Sequence, residues 1–309
     1  MHYVGHVDRA FVDEPVVSST SSGLARRVLV GPPEGSVHTE LAVGALAPSG
    51  WLARHVHSFE ESLYVLEGEL ILELDQQVHR LVPGDYALMP IGVPHTLVSD
   101  GSQGVRWLSV NTPPRRAADA AVADTLFAAS APDVAALVAA AKRPAVGVPT
   151  TRWVGHYEGT PPQLEALALN DSARGREPAG MDTALLAYSG ISVKMLVDGH
   201  MGASLLTMFT VDYEPGAAAQ AHDHPFEETY FFLAGEVEAE LDGVLYTLRA
   251  GDVVFAGVGS VHGFWNEGAG RVRWIETQAP QPPSRHAYRW ETSWRRLAAS
   301  GIESWPGRT

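Results

Sequence analysis

The same four side chains occur twice in this chain, 167 residues apart: His55, His57, Glu61 and His95 recur as His222, His224, Glu228 and His262. The offset is identical for all four, so no net insertion or deletion separates the copies between first and last of them. Between His55 and Ser99, 16 of 45 positions are identical to the stretch His222 to Asn266. The shared residues include Phe59, Glu60, Gly68, Glu69, Leu74, Asp75, Gly84, Asp85 and Gly92. A repeat of this length dictates architecture before any local reading does. It predicts two copies of one domain, each with its own candidate metal site.

The pattern within each copy is that of strands. Residues of equal parity share a face of a β-strand. His55, His57 and Glu61 are all odd and His222, His224 and Glu228 all even, so each trio converges if the strand runs on. Gly68 and Gly235 sit where one strand must turn into the next. Gly84-Asp85 and Gly251-Asp252 read as turns of positive φ. The fourth ligand of each set follows 34 residues after the glutamate, behind a bend at Pro90-Ile91-Gly92 or Gly257-Val258-Gly259. Three imidazoles and a carboxylate suit a divalent transition ion, with Mn or Fe first and Ni, Co, Cu or Zn also admitted, up to two per chain. Glu60 and Glu227 point away from the site by parity.

The stretch Gly216, His222-Asp223-His224, Glu228, Gly235 fits G-x5-H-x-H-x3-E-x6-G, and Gly251, Gly257, Gly259, His262, Asn266 fits G-x5-P-x-G-x2-H-x3-N except for glycine at the proline position. In the first half Gly84, Pro90, Gly92 and His95 keep the second motif with Ser99 for asparagine. His55, His57, Glu61 and Gly68 keep the first, with Gly50 one residue closer than expected. These motifs resemble those of the cupin superfamily, over about residues 35–112 and 202–279, and the whole chain resembles a bicupin. The resemblance implies an all-β fold of two tandem double-stranded β-helix (jelly-roll) barrels. The expected division is an N-terminal barrel with an extended arm over 1–115, a partly helical linker over 116–180, and a C-terminal barrel with an aromatic tail over 181–309.

For function, the resemblance implies first a metal-dependent, O2-using dioxygenase of the quercetinase-like kind, acting on a small hydroxylated or enolisable substrate. The alternatives are a hydrolase or isomerase on the ureidoglycine aminohydrolase plan, oxalate decarboxylase-like chemistry, and a non-catalytic metal or small-molecule binder. Decarboxylase-like chemistry calls for an arginine facing the metal; Arg54 points away by parity and the second pocket shows none. Parity directs Leu63, Val65 and Leu97 into the first pocket, and Tyr230, Phe232, Phe264 and Asn266 into the second. The second is therefore expected to be the working site, with Glu228 as ligand and general base and Tyr230 and Asn266 orienting substrate. His38, His79, His156, His200 and His286 have no counterpart in the other half and are expected at the surface or as caps rather than as ligands.

Composition bounds the rest. With 309 residues and 45% apolar side chains the chain can bury two cores. A net charge of −14 disfavours nucleic acid and anionic membrane as partners. The absence of cysteine removes disulfides and thiolate ligands. No apolar run spans a bilayer and no secretory signal opens the chain, so a cytoplasmic protein is expected. Pro132-Asp133-Val134 predicts a helix through Lys142, stopped before Pro144. The arm and the tail around Trp290 and Trp294 are expected to cover sheet edges, within one chain or in a homodimer.

Overall fold

The computed structural model describes residues 1–7, 19–101, 103–115, 124–128, 130–144, 153–160, 190–282 and 289–290. His286, Trp294 and the loop 175–180 lie outside them. The described chain is two strand-built barrels. In the first, one ladder runs Val154–His156, Asp85–Met89, Glu60–Glu67, Val105–Thr112, Glu40–His57, His95–Ser99, Leu70–Leu74 and Gln77–Leu81, with Ser21–Val30 and Thr125–Phe127 also on Glu40–His57. The second has a six-stranded sheet: His2–His6, Asp252–Ala256, Glu227–Ala234, Val272–Ala279, Thr207–Tyr213 and Ile191–Val197. Its other sheet is Val244–Arg249, Glu236–Leu241, His262–Trp265, Ala218–Asp223 and Arg289–Trp290. Leucines 63, 70, 72 and 97 with Trp107 fill the first barrel; Phe209, Tyr230, Phe232, Phe264 and Trp274 fill the second.

The barrels differ where the ligand strand crosses from one sheet to the other. Glu40–His57 bends without a break, whereas the second copy is cut into Thr207–Tyr213 and Ala218–Asp223. At that corner Gly216 has φ +84°, and Ser49 takes the equivalent left-handed position at φ +59°. The positive φ has kept its place while the glycine has moved to Gly50, which accounts for the one-residue displacement in the motif. Gly68 and Gly235 are required more strictly. Each has positive φ, and a Cβ there would lie 2.2 or 2.4 Å from the carbonyl oxygen of Gly104 or Arg271.

The barrels are locked together by exchange. The arm strand His2–His6 pairs antiparallel with Asp252–Ala256 of the second barrel, and Val154–His156, just ahead of the second barrel, pairs with Asp85–Met89 of the first. Each barrel's edge is thus closed by the strand that precedes the other. His6 Nδ1 reaches Asp252 Oδ1 at 2.6 Å, and His156 Nδ1 bonds Asp85 Oδ1 in the same way. His156 therefore has a counterpart after all, His6, displaced because linker lengths differ. Of the surface or capping places expected from sequence it does not take the surface one: its side chain is 2% exposed and paired with Asp85. His79 is buried as well, while His200 is exposed beside Asp198.

Glu60 and Glu227 supply a second lock. Glu227 accepts from Ser36 Oγ, Val37 N and His38 N at 2.7, 2.8 and 2.9 Å. Reciprocally, Glu60 accepts from Ser204 N, Ser204 Oγ and Leu205 N at 2.7, 2.7 and 2.8 Å. Between these clasps lies an apolar layer drawn from both halves, including Val43, Leu88, Leu108, Met208, Phe255 and Ile275. The linker helix runs Val134–Ala140, capped by Asp133 accepting from Ala136 N. It ends short of Lys142 because that residue's backbone pairs with Val78 and Arg80 instead. Among the described residues no helix is long and apolar enough to cross a membrane.

Candidate metal centres

The ligand trios do not come from one straight strand. Glu40–His57 ends at His57, Ser58 and Phe59 turn the corner, and Glu61 sits on the next strand, Glu60–Glu67. The shared face survives because that corner carries the chain around the barrel wall. His95 lies directly opposite His55 in register, as His262 lies opposite His222. In each cluster the three imidazoles offer one nitrogen apiece, all within 4.8 Å of one another: His55, His57 and His95, and His222, His224 and His262.

Every one of these rings has its Nδ1 spent on a backbone carbonyl. His55, His57 and His95 bond the oxygens of Ala53, Phe59 and Val93 at 2.8, 2.6 and 2.9 Å. His222, His224 and His262 bond those of Gln220, Phe226 and Ser260 at 2.8, 2.8 and 3.0 Å. A carbonyl can only accept, so Nδ1 carries the proton and Nε2 presents its lone pair to the centre. His95 Nε2 is buried with no hydrogen-bond partner. Burial pushes His55 down to about 4 and His95 and His222 to about 3, so these rings stay neutral at pH 7. A buried, pre-aimed imidazole trio beside a carboxylate fits a divalent transition ion.

The glutamates complete the sets differently. His57 Nε2 is 3.4 Å from Glu61 Oε2, and Ser109 Oγ donates to Glu61 Oε1 at 2.7 Å. Glu228 Oε2 lies 2.8 Å from His224 Nε2 and 3.1 Å from His262 Nε2, and also accepts from the Tyr230 hydroxyl; its Oε1 accepts from Gln278 Nε2 at 2.7 Å. Burial would raise both carboxyls, but the facing histidines outweigh it and hold both below the usual carboxylate range. The Glu61 side chain is 14% exposed and that of Glu228 only 1%. Glu276, buried beside Glu228 and bonded by Trp274 Nε1 at 2.9 Å, is pushed up by burial and by that neighbour's charge.

Not all the expected lining is at the second centre. Asn266 is committed to backbone: its Nδ2 donates to Tyr213 and Gly270 oxygens, and its Oδ1 accepts from Gly268 N. It closes the turn before the last strand, so the substrate-orienting role expected of it is not supported. Parity placed Asn266 on the inward face, but the strand His262–Trp265 ends before it. The polar groups that do reach Glu228 are Tyr230, Gln278 and Glu276. The last two lie on Val272–Ala279 and align, at the same offset, with Asn111 and Ser109. Extending the comparison past Ser99 would have found them. Tyr230, Phe232, Phe264 and Trp274 pack ring to ring at 5.1 to 6.5 Å and are at most 2% exposed, so they fill the wider second pocket expected from sequence. Over the first centre, Thr125–Phe127 pairs with His57 to His55, and the Phe127 ring lies 5.1 Å from that of His55. The backbone of Arg289–Trp290 pairs with Asp223 and His222 in the second.

Two barrels with three-histidine clusters at equivalent corners define a duplicated β-barrel metal-binding architecture. The cupin domain profile matches residues 38–111 and again 209–277, and the chain is a two-domain cupin. Its fold is similar to that of a salicylate 1,2-dioxygenase variant from Pseudoaminobacter salicylatoxidans, at TM-score 0.60 and 16% identity, covering 82% of this chain and 76% of that one. Oxalate decarboxylase from Bacillus subtilis aligns at TM-score 0.57 and 16% identity over 95% and 85% of the two chains. Protein Ylba from E. coli aligns at TM-score 0.58 and 14% identity over 92% and 93%. A search of curated protein sequences finds no significant match.

Proposed function

We propose that this bicupin is a metal-dependent enzyme of the dioxygenase class, and that its first centre, His55, His57, Glu61 and His95, is where a small hydroxylated or enolisable substrate binds. The observation that carries the choice of centre is the contrast between the two glutamates. Glu228 is sealed: the Tyr230 hydroxyl donates to its Oε2, Gln278 Nε2 donates to its Oε1, and its side chain is only 1% exposed. Glu61 is partly open, with one oxygen on the Ser109 hydroxyl and the other loosely against His57. A general base needs an oxygen that can turn to a substrate proton, and Glu61 has one. This reverses the assignment drawn from sequence, which rested on room in the second pocket that the aromatic rings occupy.

When bound, a divalent ion such as Fe or Mn would supply Lewis acidity and open positions for substrate and O2. The chain's own part is to hold the three Nε2 donors by their carbonyl-bound Nδ1 atoms, to accept the substrate hydroxyl proton at Glu61 Oε2, and to shield the mouth with Phe127. The second centre, walled in, serves as a structural metal site. The test is an oxygen-electrode trace on Fe- or Mn-loaded protein with a panel of enols, catechols and flavonols. Uptake with at least one compound, abolished by His55→Ala and largely kept by His222→Ala, is expected. No uptake across the panel refutes the dioxygenase reading; loss on His222→Ala alone refutes the choice of centre.

A further inference from the structure

The row of residues that runs through each ligand glutamate differs between barrels in one physical respect. In the second barrel it reads Thr207, Gln278, Glu228 across three paired strands, joined by Thr207 Oγ1 to Gln278 Oε1 at 3.2 Å and Gln278 Nε2 to Glu228. That relay is neutral up to the glutamate itself. In the first barrel the same row reads Glu40, Asn111, Glu61. Asn111 Nδ2 donates to Glu40 Oε1 at 3.1 Å, and Ser109 links the side chains of Asn111 and Glu61.

Glu40 is in turn held by two arginines. Arg26 Nη2 lies 2.5 Å and Arg115 Nε 3.3 Å from Glu40 Oε1. Neither comes from the repeat: Arg26 is on Ser21–Val30 and Arg115 follows the last strand of the barrel. Two guanidinium groups face two carboxylates along this row, Glu40 and Glu61, and of these four side chains Arg115 is the most exposed. Arg26 is buried, with a side chain 12% exposed, and fixes Glu40; Arg115 is 39% exposed and touches Glu40 only through Nε. The side chains of Glu61, Ser109, Asn111 and Glu40 link in sequence to Arg115, and this chain of contacts ties the guanidinium to the row of the first centre. In a chain of net charge −14, a partly exposed guanidinium in the row of a cation site favours an anion there.

We propose that the first centre takes a carboxylate-bearing anion as substrate, and that the partly exposed guanidinium of Arg115 binds that carboxylate while the substrate's hydroxyl faces Glu61. The proposal rests on the reading that the first centre binds substrate, but not on which reaction follows. Guanidinium suits the task because its planar fork matches a carboxylate bidentately. Among the described residues the matching row of the second centre, Thr207, Gln278 and Glu228, holds no cation, so on this proposal the two centres differ in the charge they accept.

The test is calorimetric titration of metal-loaded protein in a His222→Ala background, where only the first centre is filled, with salicylate and catechol as probes. Both are ring chelators of similar size, and only salicylate carries a carboxylate. Arg115→Gln is expected to weaken salicylate by about tenfold or more and catechol by less than about threefold, at unchanged metal content. Unchanged salicylate affinity, or equal losses for both probes, overturns the proposal. Should Arg115→Gln lose metal, Arg115→Lys and a salt series on the parent decide. Salicylate binding must then fall with salt while catechol binding holds, and a flat salicylate series refutes the proposal. Absence of oxygen uptake would sink the dioxygenase reading and leave these affinity ratios untouched.

Discussion

Replacing Glu227 by alanine should destabilise the whole molecule without touching its metal. The carboxylate is 3% exposed and accepts from two backbone N–H groups, Val37 and His38, and from the Ser36 hydroxyl. Hydrogen bonds to a charged group contribute about 1.5–3 kcal/mol each, and a donor left buried loses more than the bond itself. Ser36 is deeply buried, but Val37 is 70% exposed, so water can satisfy part of the loop once the carboxylate is gone. A net loss of about 3 kcal/mol is the balance of those effects. At about 2.1 cal/mol/K per residue, a chain of 309 residues unfolds with an entropy near 0.65 kcal/mol/K, so Tm should fall by about 5 °C. Glu227→Gln, which keeps shape and one acceptor, should cost roughly a third to a half as much. Differential scanning calorimetry with elemental analysis on the same samples checks both halves of the argument. A fall under about 1 °C would refute the inter-barrel clasp, and loss of metal would show that Glu227 supports Glu228 rather than the loop.

Three further outcomes follow from the same geometry. Elemental analysis of protein purified without chelator should find close to two divalent ions per chain, and His222→Ala should leave one; under half an ion per chain removes the basis of the metal reading. Metal-free protein should lose stability as pH falls. His55, His95 and His222 have folded pKa values of about 4, 3 and 3, so the unfolded chain binds more protons from about 6.5 downward. Each then costs on the order of 2 kcal/mol between pH 6.5 and 5, while above 6.5 the curve should be flat in these groups; a Tm independent of pH from 6.5 to 5 contradicts it. Deleting residues 1–7 should expose the edge of Asp252–Ala256 and reduce soluble yield or raise the mass by light scattering, and no change in either refutes the exchange of arm strands.

What could be read from the sequence was whatever the duplication had kept at constant offset. The ligand quartets, the left-handed glycines and the tandem barrels all belong to that class, because each barrel corner needs the same backbone turn to deliver the same imidazole. Parity also placed Glu60 and Glu227 outside the sites, although it could not say that they would grip the opposite half. What escaped reading lay where the copies diverge or where the chain leaves the repeat. His6 and His156 do the same work, yet a comparison at offset 167 cannot pair them, since 150 residues separate them. Asn266 was placed inward by a parity that lapses once the strand ends at Trp265. Arg26 and Arg115 lie outside the duplicated stretch altogether, and only the folded sheet brings both to Glu40. The conserved positions hold the ion, and they are the same twice over. The changed ones, Ser109 against Glu276, Asn111 against Gln278, Glu40 against Thr207, Leu63 against Tyr230, decide how open each glutamate is and what charge stands behind it. A duplicated metal barrel can therefore keep two centres while reserving one for substrate, and the residues that separate those roles are found by subtracting one half from the other.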